Sequence, residues 1–238
     1  MVLQSPCYGD QKEYVSDCMK LYPDKILATF GKLDPRKRDT TVDEIDKLVN
    51  LYSCSGIKIE IPDVPFKIDA PEYDFLWRKI VEDDLLVVLD LGFGDGEYDF
   101  NIERLTNVIN RYPDIKMVLP HLGISRLWDL SQKNPYPELQ KTLKLFNINK
   151  KNLYIDIAAI QFFDLNDEHP DKRNQDIVKI VYETIGPDKI LWGTDFPTIL
   201  KLRTIRQCLD FVINQCDFLT YEDKIKILGQ NALAVYGE

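Results

Sequence analysis

The sequence lacks an excess of basic residues and lacks any long hydrophobic run. Its 30 lysines and arginines are outnumbered by 39 aspartates and glutamates, which gives a net charge of -9. This balance argues against nucleic acid and anionic membrane as partners, because the basic surface they require is missing. No apolar stretch reaches the roughly 20 residues of a membrane span, and residues 1–6 lack the features of a signal peptide. We therefore expect a cytoplasmic protein.

Paired cysteines are also missing. The five cysteines are odd in number and include no C-x-x-C pair, which argues against a disulfide framework or a zinc knuckle and predicts reduced thiols. Cys7 lies near a predicted strand end and is a conceivable nucleophile, although the more ordinary interpretation is a buried or half-buried small residue.

The composition is typical of a globular protein, because 45% of the 238 residues are hydrophobic and 29% are charged. No low-complexity tract, linker or shift in composition divides it. Barrels of about 200 to 400 residues fold as one unit, so we predict a single domain over residues 1–238.

Strand-like and helix-like segments alternate along the whole chain. Seven strands are predicted, at 2–4, 26–31, 56–61, 85–91, 116–120, 153–157 and 189–194. Helices are predicted at 10–22, 42–52, 72–82, 101–112, 137–146, 175–185, 202–214 and 220–229, with a short helical stretch at 231–236. Thr41 and Thr220 are predicted to cap their helices.

This alternation predicts an α/β fold, a parallel sheet covered by helices, as in a TIM (β/α)8-type barrel. Such a barrel has eight strands and only seven are found. Either one strand is too irregular to recognise, or the first β/α unit is missing or degenerate.

Acidic residues and one histidine follow the predicted strands. In a barrel of this kind the reacting groups lie at the carboxyl ends of the strands. The candidates are Glu60, Asp90, His121, Asp156 and Asp195. Together they would form an acidic cup with one imidazole.

His121 and Asp195 are the first candidates for catalysis. A histidine at a strand end suits metal ligation or acid–base chemistry near neutral pH; the alternative is a structural histidine bonded to a backbone carbonyl. Asp195 ends the apolar run Ile190 to Trp192, and a carboxylate there is costly unless it is paired or bound to a cation. Its alternative role is to cap or brace a loop.

The other carboxylates allow more than one interpretation. Asp90 interrupts a buried run and suits a metal ligand, a general base or a loop brace, and Asp156 is a weaker case of the same kind. Glu60 alternates with Lys58 on one strand face, so a Lys–Glu ion pair is the simpler interpretation.

Residues in the predicted loops contribute less. The segment 92–96 is glycine-rich but fits neither a dinucleotide fingerprint nor a P-loop, and is better read as an active-site loop. Phe93 and Trp128 are candidates to line a substrate pocket, although aromatic residues in barrels more often serve packing. His169 lies in a polar run typical of a solvated loop.

Several blocks resemble a known family, the amidohydrolase-related metal-dependent hydrolases of the amidohydrolase superfamily. Aminocarboxymuconate semialdehyde decarboxylase and other non-oxidative decarboxylases belong to the same branch. The matching blocks cover nearly the whole chain: Tyr22 to Lys25 with Leu33 to Pro35, Gly56 to Lys58, Pro120 to Gly123, Leu153 to Asp156, Ile190 to Pro197, and Gly229 to Ala232.

The resemblance implies a divalent metal, and the sequence departs from the family at the ligands for it. Family members begin with a strand carrying a metal-binding H-x-H pair, whereas this chain matches from the family's second strand. Asp90 stands where the family usually has a metal-binding histidine. A catalytic zinc site needs about three protein ligands, usually with imidazole among them. Asp90 and Asp195 with water suit Mg or Mn better than Zn, and only weakly.

The resemblance implies an enzyme that acts on a small molecule. The first hypothesis is metal-assisted hydrolysis of a small carbonyl or carboxylated substrate, with His121 and Asp195 as catalytic groups. The alternatives are non-oxidative decarboxylation at the same site and a non-catalytic, metal-free barrel. The missing unit is expected to leave exposed sheet edges, so the chain is either a fragment or completes itself as a homo-oligomer.

Overall fold

The computed structural model describes residues 2–3, 9–62, 64–91, 98–123, 137–165 and 167–237. Its strands form one parallel sheet in sequential order, each paired with the next along the chain. The strands are β1 Val2–Leu3, β2 Thr29–Lys32, β3 Gly56–Glu60, β4 Leu86–Asp90, β5 Lys116–Leu119, β6 Leu153–Asp156 and β7 Ile190–Leu191. The predicted α/β class and the seven strands are thereby confirmed.

Helices separate the strands. They are α1 Lys12–Leu21, α2 Arg38–Asp46, α3 Asp74–Glu82, α4 Tyr98–Arg111, α5 Pro137–Lys144, α6 Lys172–Ile185, α7 Ile205–Asp210, α8 Tyr221–Ile225 and α9 Asn231–Tyr236. Three of these helices continue as π-helical turns, α2 through Lys47–Leu51, α7 through Phe211–Gln215 and α8 through Lys226–Gln230. Within the described ranges, no helix combines the length and the apolar character needed to cross a membrane.

The strands have two apolar faces, as period-two alternation requires. One face, which includes Ile57 and Ile59 of β3, packs against helices α2, α3 and α4 and forms a large hydrophobic cluster with them. The opposite face of the sheet builds a smaller separate cluster that includes Phe30, Val88 and Leu191. This second cluster is the inner core that the strands surround, and the functional candidates extend from the same face.

The beginning of α2 differs from the prediction. The helix begins at Arg38, so Thr41 lies inside it and is not its N-cap. The Thr41 hydroxyl is buried and donates to the Lys37 carbonyl at 2.9 Å, a bond that a threonine can make within a helix. Thr220 does cap its helix, because its side chain accepts from the Asp223 N–H at 3.1 Å.

The edge of β7 also differs from the expectation of an exposed edge. The Trp192 N–H donates to the Ile227 carbonyl at 3.0 Å, and the Asn231 side chain donates to the Ile190 carbonyl at 2.8 Å. The Trp192 N–H and the Ile190 carbonyl both point away from β6, toward the outer edge of β7. The helical segment from Tyr221 to Tyr236 therefore covers this edge, and it continues through Gly229, where the sequence predicted its end.

Candidate active site

Charged side chains follow the inner core at the carboxyl ends of the strands. Lys32 comes two residues after Phe30, and Asp90 comes two residues after Val88, so each lies on the inner face. The same alternation places Lys58 and Glu60 of β3 on that face, because they pair in register with Val88 and Asp90. We call this charged layer the barrel mouth, and it also contains His121, Asp156 and Asp195.

The backbone of His121 is held in an unusual conformation. Its φ is +55° and that of Leu122 is +61°, values that side-chain-bearing residues adopt only when the surroundings impose them. Asp156 supplies part of that constraint. Its Oδ1 accepts from the His121 N–H at 2.8 Å and from the Ala158 N–H at 3.0 Å, so one buried carboxylate joins the ends of β5 and β6.

The imidazole of His121 has a defined orientation. Its Nδ1 lies 2.7 Å from the Ala158 carbonyl oxygen, which can only accept, so Nδ1 carries a proton. Its Nε2 lies 3.9 Å from Asp90 Oδ2. The structural alternative, a histidine bonded to a carbonyl, is therefore partly correct, but that bond occupies one ring nitrogen and turns the other toward the carboxylates.

The electrostatic surroundings of His121 favour its protonated form. Burial alone would lower the pKa of His121, but the charges of Asp90 and Asp156, the hydrogen bond to Ala158 and the charge of Asp195 raise it above 6.5. Burial raises the pKa of Asp156, against the opposing effect of His121. A histidine in this state is suited to donate a proton at neutral pH.

Asp195 lies at the end of the β7 connection, where its backbone also has a φ of +55°. Its carbonyl accepts from the Ile199 N–H at 3.2 Å, which begins the turn Thr198–Lys201. Asp195 is exposed. The expectation of a buried carboxylate at this position is therefore wrong. An exposed carboxylate keeps its hydration and remains accessible to a substrate.

Glu60 is part of an ion-pair cluster. Lys58 Nζ lies 2.8 Å from Glu60 Oε1, as the alternating pattern predicted, and Lys32 Nζ lies 3.5 Å from Glu60 Oε2. Lys32 was not a candidate from the sequence. The signal was available, because Lys32 follows Phe30 with the inward spacing of two residues, but the strand was predicted to end at Gly31.

The remaining candidates lie elsewhere. His169 is 3.9 Å from Asp171 through Nδ1 and contacts Gln215 through Nε2 at 3.3 Å, outside the barrel mouth. The candidates Phe93 and Trp128, the glycine-rich loop 92–96 and Cys7 lie outside the described residues.

The donors of the barrel mouth do not form a metal site among the described residues. No group of three histidine, cysteine or carboxylate side chains there is arranged to hold a metal ion. Asp90 is near His121, but Nε2 and Oδ2 are 3.9 Å apart, and Asp195 adds no third ligand to them. The predicted metal ligands Asp90 and Asp195 therefore do not meet the need for about three protein ligands.

The sequence model of the amidohydrolase family matches residues 2–237. The chain belongs to the amidohydrolase family. This match confirms the resemblance inferred from the sequence blocks, and relatives in the family include hydrolases and decarboxylases. No curated protein matches the chain.

Several solved structures have the same fold as this chain at low sequence identity. A probable 2-pyrone-4,6-dicarboxylic acid hydrolase from Acinetobacter baumannii, with citric acid bound, is 19% identical with a TM-score of 0.78, covering 100% of this chain and 83% of its own. A dihydroxybenzoic acid decarboxylase from a Polaromonas species, with bound manganese, is 19% identical with a TM-score of 0.66, covering 94% and 73%. A TIM-barrel protein from Bordetella bronchiseptica is 20% identical with a TM-score of 0.66, covering 95% and 73%. These likenesses establish the TIM-barrel type of fold.

Proposed function

We propose that this amidohydrolase-family member hydrolyses a small carbonyl compound at the barrel mouth. Asp195 acts as the base toward water, and His121 acts as the acid toward the carbonyl and the leaving group. The observation that carries the proposal is the fixed, proton-bearing imidazole of His121. Ala158 holds its Nδ1, and the charges of Asp90, Asp156 and Asp195 favour its protonated form.

The reaction balances with these two groups. Asp195 takes one proton from a water molecule while the oxygen of that water forms a bond to the carbonyl carbon of the substrate. His121 Nε2–H donates a hydrogen bond to the carbonyl oxygen as negative charge develops there, which stabilises the transition state. The bond to the leaving group then breaks and the leaving group receives the His121 proton. The proton on Asp195 then passes through solvent to His121, which restores both groups for the next turnover. Proton transfer by a positioned side chain contributes about 10²- to 10⁴-fold to the rate.

This sequence of steps passes through no metal, because the described donors lack a set of three. The proposal therefore does not include the metal-assisted hydrolysis expected from the sequence, with Zn, Mn or Mg on Asp90 and Asp195. The manganese in the structure of the Polaromonas decarboxylase belongs to that protein.

Two other functions of the same fold remain alternatives. The decarboxylase relative makes decarboxylation of a small carboxylic acid the second candidate, since a protonated His121 is also placed to protonate carbon. A non-catalytic barrel is the third.

Isotope labelling separates the three possibilities. The purified chain is incubated with a panel of lactones, esters and aromatic acids, once in H2¹⁸O and once in D2O, and products are analysed by mass spectrometry. We expect hydrolysis, in which one ¹⁸O enters the new carboxyl group, because the attacking oxygen comes from water.

Two results would contradict the proposal. A product that loses CO2 and gains deuterium on carbon identifies a decarboxylase. No product from any member of the panel, with a folded protein, favours the non-catalytic barrel.

A further inference from the structure

Gly193 lies between the end of β7 and the residue that orients His121. It comes two residues before Asp195 and lies beside Ala158, which follows β6. We propose that Gly193 is a positioning residue: its lack of a side chain lets the end of β7 lie against Ala158, and this contact fixes the orientation of the His121 imidazole. The inference rests on the proposed function, because it says how the acid of that reaction is held in place.

The two residues come together because β6 and β7 run side by side. Asp156 pairs with Leu191 in the parallel register, and the Ile157 N–H donates to the Leu191 carbonyl at 3.0 Å. Two residues further along, the same register brings Ala158 opposite Gly193. The space between them is nearly closed, since a methyl group at Gly193 would lie 3.1 Å from the Ala158 Cβ and 3.9 Å from its Cα.

A side chain at Gly193 would therefore overlap Ala158. Carbon atoms in contact normally lie about 3.5–4.0 Å apart, so the two residues would have to separate by a few tenths of an ångström. The backbone of Gly193 does not itself require glycine, because its φ lies outside the left-handed region. The close approach to Ala158 is thus the steric constraint that excludes a side chain here.

The end of β7 is held in place next to Gly193. The Trp192 N–H donates to the Ile227 carbonyl at 3.0 Å, and the Trp192 indole N–H donates to the Cys208 carbonyl at 3.3 Å. Two helical segments therefore hold the residue before Gly193 through separate hydrogen bonds. For this reason we expect most of the displacement caused by a side chain at Gly193 to fall on Ala158.

A displacement of Ala158 changes the position of the His121 imidazole. The Ala158 carbonyl oxygen lies 2.7 Å from His121 Nδ1. The Ala158 N–H donates to Asp156 Oδ1 at 3.0 Å, and the same oxygen accepts from the His121 N–H at 2.8 Å. Both polar groups of the Ala158 backbone thus lead to His121. A misplacement of about 1 Å can cost a reaction about 10²-fold in rate, so a few tenths should cost roughly tenfold.

Nuclear magnetic resonance of the imidazole rings tests the contact without any turnover. The chain has two histidines, so the ring signals of His121 are followed in ¹⁵N-labelled protein at one fixed pH, with those of His169 as an internal reference. In Gly193→Ala we expect the His121 signals to shift and the His169 signals to stay. On the substrate identified by isotope labelling, kcat should fall about tenfold with KM unchanged, because orientation of the acid acts in the transition state.

A second substitution should reverse both changes if the contact with Ala158 is their cause. Gly193→Ala combined with Ala158→Gly leaves the new methyl group 3.9 Å from the Cα of residue 158, so the His121 signals and kcat should return to wild-type values. Gly229→Ala is the matched control. Among the described residues outside its own helix, a methyl group at Gly229 meets no atom within 4 Å, so this variant should change neither quantity.

Thermal unfolding verifies that each variant is folded. Unchanged His121 signals or an unchanged kcat in folded Gly193→Ala would overturn the proposal, and so would a folded double variant that does not recover. If Gly193→Ala alone does not fold, the double variant decides: wild-type His121 signals support the contact, and failure to fold overturns it. If the signals shift and recover but wild type shows no turnover, the positioning of the imidazole is supported and only the hydrolytic assignment fails.

Discussion

Replacing Asp195 by asparagine is expected to slow turnover by about 10²- to 10⁴-fold, the usual contribution of a positioned base. The amide keeps the size and shape of the side chain but cannot take a proton from water. Because Asp195 is exposed, the variant should fold as stably as wild type. The measurement is the rate of product formation on the substrate identified by isotope labelling.

Asp17→Asn is a matched control for this substitution. Asp17 lies on α1 with a side chain that is 67% exposed, so the same change of charge occurs far from the barrel mouth and should leave turnover unchanged. If Asp195→Asn retains turnover within threefold of wild type, Asp195 is not the base.

Asp156→Ala is expected to lower the free energy of unfolding by about 2–6 kcal/mol, since each of two buried N–H groups that loses its acceptor costs about 1–3 kcal/mol. The two N–H groups are those of His121 and Ala158, both bonded to Asp156 Oδ1. Ala158 also orients the imidazole through its carbonyl oxygen, which lies 2.7 Å from His121 Nδ1, so the loss of its N–H bond should disturb that orientation. Turnover should therefore fall with stability. Denaturant unfolding and kcat measure the two effects.

Two further variants separate positioning from general damage. Asp156→Asn keeps a carbonyl oxygen for both N–H groups and should recover most of the stability and turnover. Asp164→Ala removes another buried carboxylate, one paired with Arg173 at 2.7 Å, and should lower stability without a specific loss of kcat in the folded protein. Wild-type turnover in Asp156→Ala would show that Asp156 does not position His121.

Much of the fold could be predicted from the sequence because the signals are local. The apolar run that forms β4 and the stripe of α4 are visible as patterns of spacing, and the order of the strands follows from their alternation with helices. The pairing of Lys58 with Glu60 was predictable for the same reason, since residues two apart on a strand share a face.

The features that were missed depend on contacts between distant segments. The cover of β7 by Ile227 and Asn231 requires the closing helix to fold back, which no local pattern encodes. The link from Asp156 to His121 joins residues 35 positions apart. Burial was misjudged for Asp195 because its apolar run extends beyond the strand, which ends at Leu191.

The pH dependence of kcat/KM tests the central assignment most directly, because it reports which protonation states the free enzyme needs. The proposal requires His121 to be protonated, and its pKa is raised above 6.5. Activity should therefore persist at neutral pH and decline as pH rises through that raised pKa. This alkaline decline should move to lower pH in Asp90→Asn, which removes one of the charges that raise the pKa. A rate that instead increases through neutral pH, as a deprotonated imidazole base would produce, would contradict the account.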